Sequence, residues 1–415
     1  MKNTKIFYGW YMVAIGFAMT FLTGSVAVSL FFKPMLEDFG FNRAQLSSVQ
    51  SVALVIFVIL SPFLGKLIDH FGPRVMIFAT VATQVLSRVV NGVSGNIWHL
   101  YLARLLYGIS VFPPTQVLIN RWFIKKRGLA LGLISSANPI GMMLLAPVTQ
   151  YLILLWGWRP TMLFWALIAL IIMLPLAFFV SNAPQEKKLA PDGKCQEDEL
   201  STKSSSLKQS TQGLIHITKT GLAMRQTLKT GSFWLLASSH FICGLGCGFM
   251  MTHIVIFATD FGYSDMIAAS LLSIQGILCF IGILATGVLS DRMARKNVLS
   301  LTHFIRSLSY IISVIFIIRT GEQLWILYLA MIFFGFGWFT TAPLAAGLVA
   351  DLFGNLNMGT IIGITMSCHM LGMAVSAYAG GLIYELMGSY YWAFLSLGFL
   401  EILAALFAFL IRRNR

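Results

Sequence analysis

The sequence predicts an all-α membrane protein, with twelve transmembrane helices in two six-helix pseudo-symmetric bundles and both termini cytoplasmic. Three observations carry that prediction. The first is composition: 57% of the 415 residues are hydrophobic and 11% are charged, with a mean hydropathy of +0.80, a balance that no water-facing surface tolerates. The second is spacing. Apolar runs of roughly 20 residues, the length that crosses a bilayer, begin near Tyr8, Leu46, Val75, Ile97, Arg127, Pro160, Phe233, Ser264, Lys296, Leu324, Gly359 and Tyr390. The third is an internal repeat, the signature of duplicated architecture. Gly24 and Asp38, Phe39, Gly40 recur 222 residues later as Gly246 and Asp260, Phe261, Gly262, and Asp69 recurs at the same shift as Asp291. Trp98, the run Leu100 to Ala103 and Gly108 recur 227 later, while Gly128, Gly132, Gly141 and Gly157 recur 231 later as Gly359, Gly363, Gly372 and Gly388.

The orientation follows from where the positive charge lies, because Lys and Arg collect on the cytoplasmic side of short loops. With the N terminus inside, that side receives Lys66, Arg74, Arg121, Lys125 to Arg127, Arg292, Arg295, Lys296 and the tail arginines; Lys33, Arg43, Arg159 and Arg319 fall outside. The net charge of +14 is therefore topological, and a nucleic-acid partner is not expected. Residues 1–181 form the first bundle and 231–415 the second. Between them, 182–230 is too polar to offset its ordering entropy and reads as a flexible cytoplasmic linker. Four of the five cysteines, Cys243, Cys247, Cys279 and Cys368, stand in apolar segments as small hydrophobes. No disulfide framework, metal or cofactor is called for. The opening segment lacks a small-residue cleavage site and reads as a retained first helix.

Two motifs stand out. Gly65, Asp69, Gly72 and Arg74 follow the second span, with an echo in Gly287, Asp291 and Arg292. Glycine lets helices approach closely, and a carboxylate among cations makes a charge latch that forms in one state and breaks in another. This pattern resembles the loop signature of the major facilitator superfamily and is read as the cytoplasmic gate. The second motif runs Arg121, Trp122, Phe123, Lys125, Lys126, Arg127, Gly128, Ala130, Gly132 into the fifth span, followed by Ser135, Asn138 and Gly141. With Tyr8, Gly9, Trp10 and Gly157, Trp158, Arg159, it resembles the monocarboxylate porters and their bacterial relatives, including oxalate-formate antiporter-like members.

That resemblance implies proton-linked transport of small organic anions, with the first, fourth, seventh and tenth spans lining the path and the third, sixth, ninth and twelfth bracing it. The chain departs from it at Ile283, where lactate-type members carry an arginine; the nearby Gln275 has no permanent charge. Ionisable residues within spans are costly unless they face a cavity or a partner. They are Arg88, Arg104, His240, His253, His303, Arg306, His369 and Glu401. His253 resembles a path-lining position and carries the side chain suited to proton exchange near neutral pH. His369 overlays Asn138 at the repeat shift. Arg104 is an anion candidate, since a guanidinium binds carboxylate bidentately; Arg306, one turn beyond His303, is a second, although its bracing helix favours a structural partner. Asn120, Asn138 and Gln275 supply polar contacts, and Phe334 and Trp338 line a mouth for a partly apolar substrate. Arg88 and Glu401 read as structural charges.

The function expected is secondary active transport of a small organic anion, a monocarboxylate, with a proton, by a multi-pass and monomeric protein of the cytoplasmic (inner) membrane. The alternative is export of drug-like or neutral metabolites by proton antiport, disfavoured for cations because no acid lies in the spans of the first half; a transporter-like metabolite sensor is a third class. Enzyme chemistry is excluded by the absence of HExxH, paired catalytic carboxylates or a Cys and His metal spacing.

Overall fold

The computed structural model describes residues 7–108, 112–123, 126–187, 189, 224–354 and 358–412. Within these, eleven helices are long and apolar enough to cross a membrane. The fourth crossing adds a twelfth as two shorter helices, Ile97–Tyr107 and Phe112–Trp122. The first span is Tyr8–Thr23 and Val28–Phe39, joined by one turn of tighter helix at Gly24–Val26. The second and third form one helical stretch, Arg43–Gly92, which turns at Gly72, φ 81°. The fifth and sixth are Arg127–Trp156 and Trp158–Phe178. In the second half the spans are Gly231–Asp260, Asp265–Arg292, Arg295–Ile318, Leu324–Gly337 with Thr341–Phe353, Met358–Met387 and Tyr391–Leu410. Each expected start lies within a few residues of an observed one. Most of the expected linker, 190–223, lies outside the described residues.

Starts are set by capping. Asn42 and Gln45 form a reciprocal capping box, and Asn96, Thr230 and Ser264 each accept from the backbone N–H three residues on. Spans then close on one another through small residues, as lipid-embedded helices must. A Cβ on Gly141 would collide with the carbonyl of Phe21, and one on Gly372 with that of Phe241. The first-to-fifth contact is thus repeated as a seventh-to-eleventh contact, through glycines paired at the repeat shift of 231.

Phe7, Arg74, Trp122, Ser181, Ser232 and Arg412 mark one end of the molecule, here the terminal end; Asp38, Arg159, Asp260 and Tyr390 mark the far end. At the terminal end Trp122 Nε1 donates to Ser181 O at 3.0 Å and Ser232 Oγ to Arg412 O at 2.6 Å. Glu186 accepts from Ser181 Oγ, Asn182 N and Asn182 Nδ2. Slight burial alone would raise its carboxyl, but these hydrogen bonds outweigh it and hold the group below the usual carboxylate range.

The halves meet through the eleventh span on the second, the eighth on the fifth and the seventh on the first. Glycines locate that contact along the membrane axis. A Cβ on Gly381 would stand 2.8 Å from Arg43 O, and one on Gly276 2.5 Å from Pro139 O, whereas at Gly132, Gly287 and Gly363, toward the terminal end, it would meet nothing within 4 Å. The halves are packed from mid-height to the far end, and these three glycines have open space beside them.

Candidate functional site: a cross-half latch above a basic crevice

The far end is closed by charge. Arg43, at the start of the second span, donates from Nη1 and Nη2 to the two carboxylate oxygens of Asp260, both at 2.6 Å. Its guanidinium lies 3.6 Å from the ring centre of Tyr384 and reaches Tyr390 Oη at 3.1 Å, while its backbone N–H donates to Glu385 Oε1 at 2.8 Å. Lys33 pairs with Asp265 at 3.3 Å beside it. Tyr390 carries the network inward to His253 Nδ1 at 3.0 Å, and His253 Nε2 meets Ala377 O at 2.9 Å.

Below the latch lies a narrow, little more than water-sized crevice in the first half, lined by Phe32, Gln50, Asn91, Leu100 and Arg104 among others. Arg104 is nearly buried, and among the described residues no group accepts from its guanidinium. Arg88, fully buried, donates from Nη2 to Leu22 O at 3.3 Å and leaves Nε and Nη1 without a partner. The only acids in residues 1–187 are Glu37, Asp38, Asp69 and Glu186, all near span ends. Phe32 links crevice and latch: it lines the first, and its ring stands edge-on to His253 with centroids 5.4 Å apart.

In the second half the buried arginine is neutralised. Arg306 pairs with Glu401 and donates to Cys243 O at 2.9 Å and Cys243 Sγ at 2.8 Å; His303 Nδ1 meets the other Glu401 oxygen at 2.8 Å. All three side chains are fully buried. Arg306 thus braces the seventh, ninth and twelfth spans, the structural role that its place on a bracing helix favours over an anion site. Phe334 and Trp338 pack in the same region. Phe334 is fully buried and Trp338 4% exposed, stacked on one another, with Arg306 against Phe334, so neither lines a mouth. His253 is fully buried between Phe32, Phe249 and Tyr390 rather than open to a path.

Other candidates scatter. Asn138 donates to Thr23 Oγ1 at 2.8 Å, tying the fifth span to the first, and Asn120 is exposed near the terminal end. Gln275 is buried with Nε2 unpartnered, its carbonyl where a Cβ on Gly335 would clash. Ile283 packs at the edge of the apolar core. His369, partly exposed, lies 3.3 Å from His240 O. Its ring and the thiols of Cys243 and Cys247 bring donor atoms within 4.8 Å of one another, and the permanent cation of Arg306 lies 2.8 Å from the same Cys243 Sγ.

Of the expected gate, the side chains of Gly65, Asp69 and Asp291 lie outside the described residues. Gly72 makes the turn, Arg74 is held within its own half by Asn182 Oδ1 at 2.9 Å and Phe178 O at 3.2 Å, and Gly287 and Arg292 are exposed. Sequence reasoning missed Arg43, Asp260 and Tyr390. The signal was available: Tyr390 stands 231 residues after Arg159, so the repeat leaves Asp260 without the cation that Asp38 has.

Comparison with known proteins agrees with this architecture. The chain is 27% identical over 391 residues to the uncharacterized MFS-type transporter YcxA of Bacillus subtilis (strain 168), covering 92% of this chain and 90% of that protein. It is 25% identical over 431 residues to monocarboxylate transporter 12 of Homo sapiens, covering 98% and 82%. A crystal structure of a D-xylose-proton symporter superposes with a TM-score of 0.75 at 15% identity, over 97% of both chains, a likeness of fold. The sequence profile of the Major Facilitator Superfamily matches residues 13–377 and again 240–415, and with two six-helix halves meeting around a latch and a basic crevice, the chain is a transporter belonging to that superfamily.

Proposed function

We propose that the protein moves a small organic anion of the monocarboxylate class, together with a proton, across the cytoplasmic membrane by alternating access, with its termini in the cytoplasm. The observation that carries this reading is the imbalance of buried charge in the first half. Arg88 and Arg104 lie within spans with no acid beside them, and a cation so placed in low dielectric is costly until an anion joins it. A substrate carboxylate supplies the missing charge and matches the guanidinium fork of Arg104. Gln50 and Asn91 stand in the same crevice as donors for its remaining oxygens.

The similarity to monocarboxylate transporter 12 supports the same class of cargo. Halves in contact from mid-height to the far end fit one state of a rocking carrier. Arg74, Lys126, Arg292, Arg295 and Lys296 at the terminal end support a cytoplasmic placement of that end. The test is uptake of radiolabelled lactate, pyruvate, oxalate and longer carboxylates into proteoliposomes, with and without an inward acid gradient. Gradient-stimulated uptake of any of them, strongly weakened at low anion concentration in Arg104→Gln, is the expected result. No uptake across the panel in sealed vesicles overturns the reading in favour of an exporter of neutral compounds.

A further inference from the structure

With a neutral imidazole the hydrogen-bond directions in the latch follow from its partners. Ala377 O accepts only, so His253 Nε2 carries the proton of the neutral ring and donates to it. Nδ1 is then a bare acceptor, and Tyr390 O–H donates to it. Tyr390 Oη in turn accepts from Arg43 Nη1, which with Nη2 also holds Asp260. With the imidazole neutral, the chain of donors runs one way, from Arg43 through Tyr390 and His253 to Ala377, and a proton on Nδ1 reverses its Tyr390–His253 link.

The geometry points to Arg43 and Tyr390 as coupling residues that tie closure of the far end to the proton carried by His253. The inference rests on the reading of the chain as a proton-linked anion carrier, and it deepens that reading by naming the groups through which a proton acts on the gate. A proton arriving on His253 binds at Nδ1, the only free lone pair of the ring. Tyr390 O–H then loses its acceptor, and its oxygen lies between two cations, the imidazolium and the guanidinium. Among the described residues, no other group near the ring offsets the new charge. The first span presents the edge of Phe32, the seventh Phe249, and the eleventh Ala377 O and Gly380. The acids of the neighbourhood, Asp260 and Glu385, are engaged by Arg43, and Asp265 by Lys33; Tyr384 is covered by the guanidinium.

The closed far end therefore excludes a proton from His253, and by linkage acid favours the open one. An anion seated at Arg104, with Phe32 alone between crevice and imidazole, restores the balance of charge and lets the far end close with proton and anion both aboard. Glutamine separates this device from a packing role, because its amide can donate to Ala377 O and accept from Tyr390 as neutral histidine does.

The test measures the far-end distance directly, without substrate. Spin labels placed at the exposed Asn96 and Gln323, in a chain with Cys195 and Cys368 replaced by Ser, report separation of the halves by double electron–electron resonance between about pH 8 and pH 5, the range in which imidazole titrates. The expected result is a longer distance in acid for the otherwise unaltered chain, a short distance at both pH values for His253→Gln, and a much reduced pH response for Tyr390→Phe, which keeps the Arg43 and Asp260 pair. A pH-driven opening that survives in His253→Gln, or no opening in the parent chain, overturns the inference. Because no anion is present, failure of the uptake panel with a positive distance result would reject the cargo and leave the coupling residues standing.

Discussion

Asp38 and Asp260 are the same residue of a duplicated unit, and they do different work. Asp38 pairs with Arg159 and accepts from Trp158 Nε1, all within the first half. Asp260 has Tyr390 where the repeat would place an arginine, so it takes Arg43 from across the interface. One loss of charge turned an internal brace into a latch between halves. The buried arginines of the two halves also differ: Arg306 has Glu401 as its partner, while Arg88 and Arg104 have no acid beside them. On the proposed reading, the second half carries the buried brace, the first half the anion site, and the latch forms where the second half lacks a cation.

The largest expected effect breaks the second-half brace. Glu401→Leu leaves Arg306 buried and unpaired, a loss on the order of 3–5 kcal/mol, read as a collapse of the unfolding midpoint in detergent; an unchanged midpoint would remove the brace from the account. Arg104→Gln is expected to spare that midpoint and raise the Km for the anion about tenfold to a hundredfold, the worth of one or two charged hydrogen bonds. Gly381→Leu, whose side chain would meet Arg43 O and Ser47 Oγ, should hold the far end open and stop turnover without loss of anion binding, measured as equilibrium binding beside uptake. Asp260→Asn should shift the far-end distance, whereas Asp38→Asn should cost only a little thermal stability, and equal effects would erase the difference between the two aspartates.

Glu186 gives the smallest effect. Its folded carboxyl titrates below the ordinary range, so its contribution is present above the ordinary carboxylate range and is lost as the pH falls through its lowered value. Glu186→Gln should lower the unfolding midpoint slightly at neutral pH, with the difference vanishing in strong acid.

Most of the fold was legible because the bilayer writes it into the chain. Apolar length gave the spans, glycine and aspartate recurrences gave the duplication, and Gly141 and Gly372 turned out to make equivalent helix contacts. The fourth span carries Arg104, Gln116 and Asn120, and its repeat mate at the shift of 227 supports it beside its hydropathy. The site was less legible because its contacts are remote. Arg43 and Asp260 lie 217 residues apart, and a hydropathy profile carries no sign of which charge faces which. His253 was singled out for its chemistry, but its complete burial depends on Phe32 of the other half. Phe334 and Trp338 read as a mouth because aromatics on the tenth span have two possible faces, and only packing against Tyr310 and Arg306 chooses between them.

The most direct test of the division between cargo half and cross-half gate is anion accumulation under an inward acid gradient, in the unaltered protein and in His253→Gln. The account predicts that the unaltered protein concentrates the anion above its external level, while the glutamine variant binds it with similar affinity and fails to accumulate it. Equal accumulation by both proteins would contradict the account and place the proton elsewhere.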